Sequence, residues 1–330
     1  MLVLTPDNAT DYLRSHNRVG PGPVVVEALG GGVSNVVLRI ATAEQTFVLK
    51  QSCPQLRTRD AWFSDLDRVY REQEVMEALL PLLPAPTVPA IVFVDRENYA
   101  FAMSHAPTPS RVWKEMLLSG DIDFDFGARV GSVLGRMHQA TANRPELAER
   151  FASRDVYVQL RVDPFYRRVQ ERRPEVADLI EPIIDRMLTA QESLCHGDYT
   201  PKNILVHEQG FTLVDYETAH IGDPTMDLGL LLAHLLLKAA RRPDQQEAFF
   251  DLTRSVWGGY AAEVNYRPLA SLHEHAVEHL GVCLLARIDG TSPVDYLTAP
   301  ETRERVRVFA RQLLRERPTD WEAVLGLVGA

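Results

Sequence analysis

The stretch HGDYTPKN at 196–203, with ILV directly after it and FTLVDYE at 211–217, constrains this chain more than any other feature. It places His196, Asp198, Lys202 and Asn203 in one short polar run between apolar ones. Asp215 and Glu217 then close the next apolar run. Pro201 keeps the polar segment extended, and ILV anchors it as a strand. Asn203 offers a neutral oxygen to a hard cation and Asp215 a charged one. If the strand pleat runs on through Asp215 and Glu217, both carboxylates project from one face and reach the same magnesium site. Carboxylates buried this close together need a cation or shared protons. The plain alternative is a polar hairpin surface, but acid, amide and second acid all falling at strand ends favours a site.

The rest of the chain supplies two different surroundings for that constellation. A helix start at Thr5-Pro6-Asp7 leads into a short amphipathic helix reaching about Arg14. Strand-like runs follow: VVVEAL from Val24, VVLRI from Val36, TFVLK ending at Lys50, then AIVFV and YAFAM around a turn at 95–98. Helical spacing over about 60–83, including Trp62, Val69, Val75, Leu79 and Leu82, separates the third strand from the fourth. After Met103 helical periods dominate, at 112–118, 124–141, 175–190, 225–240, 245–264 and 302–315, and the clear strands are short. The expected fold is therefore α+β and bilobal. A small N-terminal antiparallel-sheet lobe (1–103) precedes a larger, mostly helical C-terminal lobe (104–330), and 330 residues suffice for both.

Charge and cysteine content narrow the class. A net charge of −10 argues against a general nucleic-acid binder. The three cysteines, Cys53, Cys195 and Cys283, are dispersed and form no CxxC, which argues against a disulfide framework or a zinc site. The N-terminus lacks a basic region followed by an apolar stretch, and LGLLLAHLLLKA is too short to span a bilayer. A cytoplasmic protein without membrane partners is expected.

Two N-terminal features face in the same chemical direction. GGGVSN (30–35) turns sharply between strands and presents N–H groups to an anion, or else is a flexible hairpin. It is neither a Walker A motif nor a Rossmann fingerprint. Lys50 ends the strand one hairpin later. Either it is a strand-end charge in water, or it sits under the glycine loop and holds nucleotide phosphates. In the second case it needs an acidic partner, and Glu72 and Glu74 in YREQEVME could supply it. Glu72, four residues after Arg68 and just before the apolar run from Val75, is the better placed.

With these residues assembled, H-x-D-x-x-x-x-N followed by a strand ending in Asp resembles the catalytic and metal-binding loops of the protein-kinase-like fold. HGD-x-x-P-x-N is similar to the aminoglycoside phosphotransferase and choline kinase family. The resemblance runs from the glycine loop to Asp227 in GDPTMDLG. It implies an ATP-dependent, Mg2+-dependent enzyme that phosphorylates a hydroxyl of a small molecule. It further implies Asp198 as the catalytic aspartate, Asn203 and Asp215 on magnesium, and Lys50 with Glu72 positioning phosphates. Gly31, Gly32, Ser34 and Asn35 would cradle the phosphates in a GG-x-SN loop. The backbone at Ser104 and Ala106 would meet the adenine, while His196 and Asp227 brace the catalytic loop.

Two departures from protein kinases bear on the acceptor. DYE stands where DFG would, and Glu217 resembles the second acid of the D-x-E in methylthioribose kinases. Only eleven residues separate Asp215 from Asp227 and no APE follows, so there is no room for a peptide-binding activation segment. A small-molecule acceptor follows, and the resemblance implies a sugar such as methylthioribose, an aminoglycoside or an amino alcohol. Lys202 either leans on the γ-phosphate or is solvated. Arg161 and Arg287, in apolar company, either grip the acceptor or pair internally with Asp163 and Asp289. A non-catalytic nucleotide-binding protein with the same fold is the competing reading. It requires a broken catalytic set, and Lys50, Asp198, Asn203 and Asp215 are all present.

Overall fold

The computed structural model describes residues 1–30, 35–53 and 65–329. They form two compact units: Met1–Ser110 with His207–Glu217, and Arg111–Val206 with Thr218–Ala330.

The first unit is built on α1 (Pro6–Ser15), β1 (Val25–Ala28), β2 (Asn35–Ala41), β3 (Thr46–Ser52), α2 (Arg68–Leu79), β4 (Ile91–Asp95) and β5 (Ala100–Ser104). The five strands make one antiparallel sheet in the order β1-β2-β3-β5-β4. Pro6 opens α1 where a missing N–H costs nothing, and Asn8 Oδ1 accepts the Thr5 N–H at 2.8 Å. Leu4, Ala9 and Leu13 then pack with Leu38, Ile40, Phe47 and Leu49 in one buried cluster. Every residue of β3 after Thr46 is buried, so Lys50 enters the interior with the strand. α2 occupies part of the 60–83 span read from the sequence, and Trp62 lies outside the described residues. The strand Gly210–Leu213 joins this unit through Leu213 N–H, which donates to Thr87 O at 2.8 Å.

The second unit is helical. Its principal helices are Trp113–Ser119, Phe124–Thr141, Ala177–Thr189, Thr225–Arg241, Gln246–Ala261, Leu269–Asp289 and Pro300–Glu316. Helices Phe124–Thr141 and Gln246–Ala261 approach so closely that a Cβ on Gly131 would stand 1.9 Å from Val256 O. Only glycine fits there. Helix Leu269–Asp289 is buried on almost every side, from Leu272 and Ala276 to Val282 and Leu285. A helix with no solvent face carries no apolar stripe, which is why its period is invisible in the sequence. Val158–Arg167 is π-helical with Pro164 inside it. Two short antiparallel pairs flank the 196–203 segment: Ser193–Cys195 with His220–Gly222, and Arg111–Val112 with Leu205 and Val206. No helix among the described residues is long and apolar enough to cross a membrane.

Candidate active site

In the first unit a buried charge cluster surrounds Lys50. Its Nζ lies 2.6 Å from Glu72 Oε2 on α2 and 2.8 Å from Asp215 Oδ1. Burial works against the ammonium, but the carboxylates of Asp215, Glu72 and Glu217 outweigh it and raise the Lys50 pKa. Burial also raises the Glu72 carboxyl, against the pull of Lys50. These directions oppose each other across one contact. We take the pair as charged, because Lys50 faces a second carboxylate and Glu72 Oε1 also accepts the Tyr216 N–H at 3.3 Å.

Glu217 has different partners. Its Oε2 accepts from Asn35 Nδ2 at 2.9 Å and from Arg68 Nε at 3.2 Å. Arg68 is fully buried and also donates to Cys53 O at 2.9 Å. The sequence reading used Arg68 only to place Glu72 and gave it no role in the site, although it stands one helical turn before Glu72 and so shares its face. The expected pleat does not run through the acidic pair. The strand stops at Leu213 and Asp215 takes a left-handed φ of +73°. Aspartate tolerates that region because its short side chain bonds locally. Asp215 and Glu217 accordingly engage Lys50 and Arg68 separately.

Gly31, Gly32 and Ser34 lie outside the described residues. Asn35 begins β2 with its amide turned to Glu217. Ser104 ends β5, where its N–H donates to Ala90 O at 2.8 Å and its Oγ accepts from Ala90 N at 2.9 Å. The Ala106 carbonyl lies 2.6 Å from His105 Nδ1.

In the second unit the 196–203 loop is fixed from below by Asp227. Its two carboxylate oxygens accept the N–H groups of His196 at 2.7 Å and Gly197 at 2.8 Å. Burial opposes the Asp227 charge, but the His138 hydrogen bond, the charges of His138 and His196, and those backbone donors together lower its pKa. Gly197 is required twice over: its φ is +75°, and a Cβ would meet Thr218 O at 2.7 Å. The turn this permits directs Asp198 onto three donors. Asn203 Nδ2, Lys202 Nζ and Arg161 Nη2 each lie 2.9 Å from Asp198 Oδ2. With its amide nitrogen on Asp198, Asn203 has its oxygen to offer a cation.

Arg161 belongs to the π-helical segment and also donates to Gly197 O at 2.7 Å. It does not pair with Asp163, which binds Arg167 at 2.6 Å. Nor does Asp289 bind Arg287: its partners are Arg173 and Arg307, both at 2.8 Å. Arg287 instead borders a cavity of about 220 Å³ in this unit, together with Lys114, Pro201, Lys202, His234 and Tyr296. One sequence signal for that cavity was missed: Lys238 and His234, neighbours in the helix Thr225–Arg241, interrupt a leucine run that is otherwise apolar.

A sequence model of the phosphotransferase enzyme family matches residues 25–263. The chain belongs to this family. As a phosphotransferase it is similar to methylthioribose kinase of Exiguobacterium sibiricum, 24% identical over 266 residues, covering 72% of this chain and 67% of that one. Its fold is similar to that of macrolide 2'-phosphotransferase from Brachybacterium faecium, with a TM-score of 0.55 at 18% identity over 95% of this chain and 99% of the other. It is also similar to that of a choline/ethanolamine kinase family protein from Mesorhizobium loti, with a TM-score of 0.53 at 15% identity over 97% and 98%. The phosphotransferase therefore has the bilobal protein-kinase-like α+β fold, and it is a small-molecule kinase.

Proposed function

We propose that this kinase transfers the γ-phosphoryl group of Mg·ATP to a hydroxyl of a small acceptor, with Asp198 as the catalytic residue. The observation that carries the reading is the treatment of Asp198: one oxygen takes three donors at 2.9 Å while Asp227 fixes the backbone on either side of His196. A carboxylate held this firmly orients a substrate hydroxyl with little freedom left to lose. In the transfer, the acceptor oxygen bonds to phosphorus, the bond from phosphorus to the β–γ bridging oxygen breaks, and ADP leaves with that oxygen. The hydroxyl proton is released by way of Asp198. In a loose transition state this proton departs late, so aiming the hydroxyl is the larger contribution of Asp198.

Residues 1–103 serve nucleotide binding, and 104–330 serve catalysis and acceptor binding. Lys50, held by Glu72, orients the α- and β-phosphates, and the GG-x-SN loop with Ser34 and Asn35 covers them. The backbone at Ser104 and Ala106 meets the base. Lys202 balances charge beside Asp198. Magnesium, when bound, neutralises the β- and γ-phosphate oxygens. The residues that would hold it are Asp215, Glu217 and Asn203, whose hard oxygens suit the ion. Among the described residues no group of three or more His, Cys, Asp or Glu side chains could hold a metal. Magnesium takes one or two carboxylates and substrate phosphates rather than an all-protein cage. The Lys50 and Arg68 cations already on Asp215 and Glu217 mark both carboxylates as cation sites. Dispersed free cysteines support a cytoplasmic setting.

The test is a coupled ADP-release assay against pools of thioribose and other sugars, aminoglycosides, amino alcohols and hydroxy acids. At least one pool is expected to stimulate the native protein. Asp198→Asn should lower kcat by about 10²–10⁴-fold while nucleotide affinity is kept. Normal turnover in that variant would remove Asp198 from the mechanism.

A further inference from the structure

The cavity beside Lys202 has a charge that its neighbours do not balance. Its lining carries the cations Lys114, Lys202 and Arg287 and a single carboxylate, Asp295. Lys202 is shared with Asp198, and Asp295 is 83% exposed and 3.9 Å from Lys114. Arg287 has no ion pair among the described residues, and its Nε is sealed from solvent without a hydrogen-bond partner. The Tyr296 hydroxyl, in the same wall, is likewise buried and unpartnered. Such groups are ordinarily satisfied, so two unpartnered donors on residues that line one cationic cavity point to a ligand that accepts hydrogen bonds. Lys238 stands behind the wall, fully buried, its Nζ 5.5 Å from the Tyr296 ring centroid.

We propose, building on the small-molecule kinase reading above, that this cavity is the acceptor subsite and that the acceptor carries an anionic group, a carboxylate or a phosphate, bound by Arg287 and Lys114 with Tyr296. An ammonium group would meet three cations there and one screened carboxylate. The charge of the lining suits a hydroxy acid or a sugar phosphate better than a cationic aminoglycoside. The local field points the same way. Burial, then Lys114 and Arg287, lowers the Lys238 amine to about 7. Burial, then Arg287, Lys238, Lys202 and Lys114, holds His234 well below the ordinary imidazole range. A bound anion relieves this crowding.

The experiment titrates four related hydroxyl compounds into the full-length protein by calorimetry, with a non-hydrolysable ATP analogue at saturation. The probes are glycerol, glycerate, glycerol 3-phosphate and 3-amino-1,2-propanediol. Glycerate or glycerol 3-phosphate is expected to bind about 10- to 100-fold more tightly than glycerol, with the amine weakest, and the stronger of the two anions identifies the group. Arg287→Met should abolish this preference. Lys114→Met, at a part-exposed side chain whose loss does not threaten the fold, should reduce it. The proposal fails if glycerol or the amine binds as tightly as the anions, if no probe binds, or if both variants keep the preference. Titration of the analogue alone tests the kinase reading separately: its failure to bind would count against that reading, and the anion preference is then read from the same four titrations into the protein without nucleotide.

Discussion

The charge cluster around Lys50 and the cavity around Arg287 are opposite solutions to burying ionic groups. In the cluster two cations, Lys50 and Arg68, face three carboxylates, Glu72, Asp215 and Glu217, and short contacts run between them. In the cavity cations outnumber carboxylates, and among the described residues Arg287 makes no ion pair, though the charge of Asp198 reaches it. Buried charge is tolerated when it is paired. Whatever imbalance survives in a folded protein is therefore informative about what is to be bound. An excess of cations suits an anion.

The largest effect expected from disturbing this contrast is in the matched cluster. Lys50→Met leaves Glu72 buried and Asp215 without its ammonium partner. Breaking a buried pair from one side costs about 3–5 kcal/mol, measurable by denaturant unfolding. The double variant Lys50→Met/Glu72→Gln should recover much of that stability without recovering nucleotide binding. Equal stability of native and Lys50→Met would mean that the cluster is wetter than its contacts indicate.

The unmatched region should respond with the opposite sign. Lys238 is buried, bonded to His234 O at 3.0 Å, and its amine is lowered to about 7. An unfolded lysine titrates near about 10.4. Between these values the unfolded chain binds the extra proton, so stability rises with pH across that window. Below about pH 7 both states are protonated and the whole cost of the buried charge is present. Lys238→Met should stabilise the fold by about 1–4 kcal/mol at or below neutrality. The gain should shrink toward zero as pH approaches about 10, read as the difference in Tm between native and variant across that range. A gain independent of pH would indicate better packing by methionine rather than relief of charge.

The same contrast separates what was legible in the sequence from what was not. Strand runs such as TFVLK and the 124–141 helix follow from side-chain periodicity, which is local, and the structure has elements there. The pairing of Lys50 with Glu72 was legible because a cation inside an apolar strand requires an acid on the next element. The bracing of the 196–203 loop by Asp227 was reachable through the motif alone. Hidden features depended on three-dimensional company. Nothing local marks the left-handed Asp215, the π-helical turn that brings Arg161 to Asp198, or the helix Leu269–Asp289 with its small solvent face. The open choice between acceptor contacts and pairing with Asp163 and Asp289 was framed too narrowly. Arg161 bonds Asp198, a partner 37 residues away that spacing arguments do not reach.

The smallest effect is the sharpest test of how the cavity treats charge. Among the described residues Asp295 is the only carboxylate in its lining, mostly exposed, and 3.9 Å from Lys114. An exposed pair of this kind is worth at most about 1 kcal/mol, so Asp295→Asn should leave Tm unchanged. If the wall is built for an anion, Asp295 is a mild electrostatic hindrance and a counter-ion for the free site. Its neutralisation should then tighten binding of glycerate or glycerol 3-phosphate by about two- to fivefold, with more effect at low salt, because an exposed charge acts through screened solvent. If Asp295 instead anchors an ammonium on the acceptor, the same variant weakens 3-amino-1,2-propanediol and leaves the anions unmoved. The two outcomes differ in sign for different probes, so even a twofold change assigns Asp295 to one role and fixes whether the cationic wall is the binding surface or only its background.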